Sequence, residues 1–383
     1  MDFLLVTGVS ANDIFIYNMA KWLKKRLNAN IDVFAIDNHN TQTYDSSIFR
    51  VVKYVEDDTN ALTRKLFGWT QAYRYSRQLT KFLRGKKYDI IQCHWMVPAI
   101  ALNRQLKNHC EKLFMTFWGG EFEDMKILKS KRLYKYYINR FSASVDGMIN
   151  SKENQSKFLC LLPKFAGRYY DGSFGSEPLE KLYSLMDIET KDESKRLLGI
   201  NQSKVSVLIG YSGKKLHQHL EVIDALKKYP VLKDKIVVLA PMTRNYDEAY
   251  VNDVSNKLKD LGMDYWLKAG FLSDEEIARL RNATDFTMQY AKFDGFSRSI
   301  VECICAKSLM VYGDWINYDA HLKRFNFFAI KTKNIEEGIE VLIDYLKSPE
   351  EYNKLLEKNH ENGKHSYFWS ECINNWVNAY LGK

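Results

Sequence analysis

Short runs rich in Val, Ile and Phe alternate with stretches of helical spacing along most of this chain, and that alternation constrains its fold more than any other feature. An apolar run without polar alternation is buried on both faces, as a strand is in a parallel sheet covered by helices on each side. The series opens with a strand at Phe3–Thr7, an amphipathic helix at Ile14–Leu27 and a strand at Ile31–Ile36. Asp89–His94, Lys112–Phe117 and Val145–Asn150 read as further strands. The pattern lapses between Asp171 and Pro178, where Gly, Ser and Pro cluster as in a linker. It restarts with the strand Val205–Gly210, the helix Leu220–Lys228 and the strand Lys235–Ala240. Tyr265–Lys268, Asp285–Gln289 and Leu309–Tyr312 are the next strands, with helices at Asp274–Asn282 and Ser299–Lys307. The predicted class is α/β, with two Rossmann-like, doubly wound parallel-sheet domains over residues 1–175 and 190–365, then a helical tail over 366–383. A length of 383 residues suits two cores. Two such domains facing a central cleft bring the ligand-binding ends of both sheets together.

Composition excludes several classes. Hydrophobic and charged fractions of 46% and 27% are those of a globular protein. No apolar run reaches the roughly 18 residues of a membrane span, and the N-terminus lacks the basic segment of a signal peptide, so a cytoplasmic location is expected. The six cysteines form no Cys-x-x-Cys pair and read as reduced core thiols. The net charge of +9 is uneven. Arg64–Lys87 holds eight basic residues and no acid, interleaved with Phe67, Trp69, Tyr73, Tyr75 and Phe82. Lys126–Arg140 repeats the pattern with Lys129, Lys131, Arg132, Lys135 and three tyrosines. Such stretches fit an anionic membrane surface, with the chain peripheral at the inner face of the plasma membrane, and they fit a nucleic-acid backbone. They also fit a solvated helix face with core aromatics behind it.

Two strand-to-helix turns carry chemistry. In the first, Gly210-Tyr211-Ser212-Gly213-Lys214-Lys215, small residues let backbone N–H groups approach an anion, and the lysines suit a diphosphate. In the second, Asp294-Gly295-Phe296-Ser297-Arg298 opens a helix that reaches Glu302. Free N–H groups and Arg298 suit phosphate, and ionised carboxylates accept paired hydrogen bonds from sugar hydroxyls. Glu302 sits among Ile300, Val301, Cys303 and Ile304, so its segment is expected to be buried and its carboxylate to need a partner.

The stretch from Asp294 through Glu302, followed by a small-residue helix and Leu309-Met310-Val311, resembles the acid-x7-acid signature of family-4 retaining glycosyltransferases of the GT-B fold. The resemblance implies that Asp294 contacts the donor sugar and Glu302 the ribose. Upstream, Gly210, Ser212, Gly213 and His219, then Val237–Met242 with Pro241, and Glu248-Ala249-Tyr250, are similar to the bacterial 4-acetamido-4,6-dideoxygalactose transferases. Asp89–His94 and Thr116-Phe117-Trp118-Gly119-Gly120-Glu121 resemble the strand-end histidine and Trp-Gly-x-acid turn of such enzymes. The likeness runs from about residue 88 to about 312, and the tail resembles the helix that returns to the first domain. Departures are Asp294 in place of the commoner Glu, Ser297 in place of Gly, and a diphosphate-binding pair that falls on Lys214 and Lys215.

The expected activity is transfer of a sugar from a nucleotide-diphosphate sugar to a glycan or polyprenyl-linked acceptor in bacterial surface polysaccharide biosynthesis, with retention. No cofactor is expected and, because the chain lacks an Asp-x-Asp pair, no metal. Nucleic acid is not an expected partner. His94 is a candidate at the end of its strand, equally readable as a core histidine, and Glu121 is a candidate general base if the reaction inverts. Gly8 would let backbone approach donor or acceptor. The alternative is a catalytically silent GT-B module serving as a sugar- or partner-binding subunit.

Overall fold

The computed structural model describes the chain except for Asn12, residues 37–45, 56–67, 119–131 and 244–245, and His365. It divides into two compact units, Met1–Gly175 with Trp369–Lys383, and Ser176–Phe368.

The first unit is built on a seven-stranded sheet of order β3-β2-β1-β4-β5-β6-β7, parallel throughout. Its strands are β1 Asp2–Thr7, β2 Asn30–Ala35, β3 Val51–Tyr54, β4 Tyr88–His94, β5 Cys110–Thr116, β6 Gly147–Asn150 and β7 Arg168–Asp171. Alternate residues of β1 feed opposite faces, Leu4 and Val6 into one core and Phe3 and Leu5 into the other. Helix α1, Ile14–Leu27, packs on the second face; Asp13 caps it by accepting from the Phe15 N–H at 2.9 Å, and Lys24, Lys25 and Arg26 fill its last turn. The C-terminal helix Trp369–Leu381 covers the same face with Trp369, Ile373 and Trp376. It is fastened where Trp376 Nε1 donates to Ser173 O at 2.9 Å and Lys112 Nζ to Tyr380 O at 2.8 Å. Helices α2, Gly68–Leu83, and α3, Arg132–Ser142, lie on the first face.

The second unit has a six-stranded parallel sheet of order β10-β9-β8-β11-β12-β13. These are β8 Val205–Ile209, β9 Ile236–Met242, β10 Asp264–Ala269, β11 Phe286–Gln289, β12 Leu309–Gly313 and β13 Ile330–Thr332. Helix α4, His219–Lys227, follows β8, and α5, Arg298–Cys305, follows β11. Strands β3, β7 and β13 are absent from the sequence reading. All three are sheet edges and partly exposed, so they lack the continuous apolar run that marks a strand buried on both faces. Among the described residues no helix is long and apolar enough to cross a membrane.

Candidate functional site

In an open parallel sheet, ligands bind beyond the carboxyl ends of the strands at the point where strand order reverses. In the first sheet that point lies between β1 and β4, where Thr7 pairs with His94. Gly8, next in the chain, donates its N–H to His94 O at 3.0 Å. A Cβ on Gly8 would stand 2.3 Å from Trp95 O, so the glycine is required here by contact with protein backbone. Gly8→Ala should therefore destabilise the N-terminal unit by about 1–3 kcal/mol, read as a lower denaturant midpoint at unchanged slope.

His94 is fully buried against Trp118, Phe174 and Trp376, with ring centroids 6.2, 5.7 and 5.8 Å away. Neither ring nitrogen has a partner among the described residues. Burial lowers its pKa from 6.5 to about 3, which keeps the imidazole neutral. Trp95, which follows it, has φ of 50°, an uncommon conformation for a bulky side chain and one that collects at functional sites. Glu121 lies outside the described residues.

In the second sheet the order reverses between β8 and β11, and both turns singled out from the sequence start there. Gly210 has φ of 64° and lies so near His219 that an added Cβ would come within 2.6 Å of Nε2. Ser212 Oγ bonds His217 Nε2 at 2.9 Å, His219 Nδ1 bonds the Tyr250 hydroxyl at 3.3 Å, and the Gly213 N–H is taken by Thr243 O at 3.0 Å. Burial lowers the pKa of His217 to about 3, with help from His219 and Lys214, and that of His219 to about 4. Lys214 and Lys215 are exposed, and Lys215 lies over the Tyr250 ring. Pro241 is buried within β9, paired with Lys268 of β10.

The two turns meet. The Tyr211 hydroxyl donates to Asp294 Oδ1, and the Lys292 N–H donates to Leu216 O at 2.9 Å. The Tyr318 hydroxyl and the Ser297 N–H both donate to Asp294 Oδ2, the latter at 3.1 Å. Burial and the neighbouring Asp294 push both phenols far above their ordinary pKa, so they remain protonated donors. Gln289 in turn donates to the Tyr318 hydroxyl at 3.0 Å, and its own Oε1 has no partner among the described residues. Phe296 has φ of 63° and is clamped in a stack on His321, ring centroids 4.8 Å apart. Ser297 occupies the N-cap of α5 with no side-chain capping bond; the Asp294 carboxylate takes its N–H instead. Arg298 stacks on Tyr367 at 3.6 Å.

Glu302 is 3% exposed. Its Oε2 lies 3.2 Å from Arg281 Nε and its Oε1 accepts from Ser176 Oγ at 2.7 Å, which meets the need of a carboxylate buried in an apolar helix. Arg281 Nη1 has no partner among the described residues. Sequence reasoning missed Tyr318, Gln289, Arg281 and Ser176. Tyr211 and His217 lay inside the quoted turn, where their roles could have been suspected from a strand-to-helix setting alone.

Two parallel-sheet α/β units of this kind are the GT-B architecture, and within them the sequence model of the Glycosyl transferase 4-like family matches residues 5–151. Solved structures share the fold across the whole chain. The sucrose-phosphate synthase of Thermosynechococcus elongatus is 10% identical with a TM-score of 0.75, covering 100% of this chain and 98% of that one. WaaG, a glycosyltransferase involved in lipopolysaccharide biosynthesis, is 14% identical with a TM-score of 0.70 and 100% coverage of both chains. HepE of Anabaena, solved in complex with UDP-glucose, is 15% identical with a TM-score of 0.69 and 99% coverage of both. Comparison with curated protein sequences gives no match.

Proposed function

We propose that the chain transfers a sugar, with retention and without a metal, from a nucleotide-diphosphate sugar to a glycan or polyprenyl-linked acceptor of a bacterial surface polysaccharide, working as a peripheral protein at the cytoplasmic face of the membrane. The observation that carries this reading is the hydrogen bond from Tyr211 to Asp294, which ties the Gly210–Lys215 turn to the acidic turn at the strand-order reversal. A diphosphate would meet Ser212, Lys214, Lys215 and the amino end of α5; Asp294 would face the sugar and Glu302 the ribose. His219, Pro241, Phe296, Ser297 and Arg298 would complete the donor pocket. On the N-terminal unit, His94 and Glu121 are the catalytic candidates, and Gly8 would give the backbone close approach to donor or acceptor. Stabilising the departing diphosphate is the main catalytic demand on such a site. HepE was solved with UDP-glucose, and the Val237–Met242 and Glu248–Tyr250 segments resemble 4-acetamido-4,6-dideoxygalactose transferases, so UDP-glucose and nucleotide-linked aminodeoxy sugars are the first donors to test.

A thermal-shift screen against nucleotides and nucleotide-sugars tests the reading. A donor at about a hundred times its dissociation constant adds roughly 2.7 kcal/mol of stability. Asp294→Asn should keep that shift and lose transfer by roughly a hundredfold or more. No shift with any donor would overturn the proposal. A second reading, the silent GT-B module, is favoured by one observation: every oxygen of Asp294 and Glu302 is already bonded within the protein. It predicts a shift with donor and no transfer in the unaltered protein.

A further inference from the structure

Helices α2 and α3 are separated in sequence by the 48 residues between Leu83 and Arg132, yet they adjoin: the rings of Trp69 and Tyr137 lie with centroids 5.5 Å apart. The described helices of the two basic aromatic stretches therefore share one surface. Tyr75, Phe82, Tyr134 and Tyr137 lie in or against the core, but a solvated face with core aromatics behind it leaves the other large apolar side chains of these helices unexplained. Helix α2 buries Ala72, Leu79 and Leu83, and α3 buries Tyr134, Ile138 and Phe141. What remains outside is Trp69 at 38% exposure, Tyr73 at 60%, Leu133 at 47% and Tyr136 at 51%. Exposed large apolar groups gathered in this way mark an interaction surface. Arg74, Arg77, Lys135 and Arg140 are exposed on the same two helices, neither of which carries an acid. Arg140 Nη1 also donates to the Tyr136 hydroxyl at 3.0 Å, holding a cation beside an exposed ring.

We infer that α2 and α3 together form a docking face for an anionic lipid surface. Indole and phenol rings settle at the depth of lipid headgroups, and cations around them gain from the negative surface potential. An exposed leucine on the same helix as Tyr136 suits an acyl boundary and adds nothing to binding of a nucleic-acid backbone. The purpose of this face rests on the lipid-linked acceptor proposed above, whereas its test does not: lipid binding is read without donor or acceptor.

The experiment is co-sedimentation of the full chain with vesicles of phosphatidylcholine, alone or mixed with phosphatidylglycerol. Binding is expected only to the mixed vesicles. Each cation near such a surface contributes about fivefold in partitioning, so the combined variant Arg74→Ser, Arg77→Ser, Lys135→Ser, Arg140→Ser should lose roughly a hundredfold or more. The variant Trp69→Ser, Tyr73→Ser, Leu133→Ser, Tyr136→Ser should keep weak binding at low salt and lose it as salt is raised, because only charge attraction remains. Both sets lie on exposed positions, so unfolding midpoints and any donor-induced thermal shift should stay as in the parent. Equal binding to neutral vesicles overturns the inference, as does full binding by the cation variant. So does preferential binding of single-stranded RNA or DNA that competes with the vesicles.

Discussion

Glu302→Ala is expected to destabilise the C-terminal unit by about 3–5 kcal/mol, because it leaves the Arg281 guanidinium buried without its counter-ion. Both residues are only 3% exposed, and Arg281 Nη1 already has no partner among the described residues, so water cannot easily replace the lost carboxylate. Ser176, at the amino end of the helix Glu177–Met186, would lose its acceptor as well. Glu302→Gln should cost less, since the amide oxygen still accepts from Ser176. The double variant Glu302→Leu, Arg281→Met removes both charges together and should recover much of the loss, as apolar replacements of buried ion pairs do. Urea denaturation of the four proteins measures this directly. If the double variant is as unstable as Glu302→Ala, the pair is not the source of the cost. The same series separates roles, because a residue needed only for stability leaves transfer intact in any variant that stays folded.

Acid should weaken both units through histidines buried in neutral form. His94 and His217 titrate near 3 and His219 near 4 in the fold, against 6.5 when unfolded. The folded pKa values are depressed, so the unfolded chain binds more protons and stability falls as pH drops below 6.5. The slope is about 1.4 kcal/mol per pH unit for each histidine, so about 1.4 for the N-terminal unit and about 2.8 for the C-terminal unit. Although burial opposes it, the charges of Lys191 and Lys195 hold the Asp285 carboxylate low, so its stabilising contribution is lost only below 3.8. Glu193, Glu276 and Glu336 are held below 4.5, so unfolding free energies measured between 6.5 and 4.5 should report the histidines. Replacing His217 and His219 with glutamine should flatten the slope of the C-terminal unit. An unchanged slope in that variant would assign the acid sensitivity elsewhere.

By itself the sequence determined the α/β class, the two-domain plan and the pair of strand-to-helix turns at Gly210 and Asp294. These are local signals: an apolar run reports burial on two faces, and a small-residue turn after it reports a strand end. Helices Ile14–Leu27 and Asp274–Asn282 were legible to the residue because a capping residue and helical spacing mark their ends. Tertiary structure decided what lies opposite each marked residue. Asp294 is held by Tyr211, 83 positions away, and by Tyr318, 24 away; Glu302 is held by Arg281 and Ser176, 21 and 126 away. No sequence spacing encodes those distances, because parallel strands are joined by crossovers of variable length and only the sheet order β10-β9-β8-β11-β12-β13 brings the turns together. The basic aromatic stretches were ambiguous for the same reason. Each alone fits a solvated helix, and packing alone determines which rings fill the core and which remain in water.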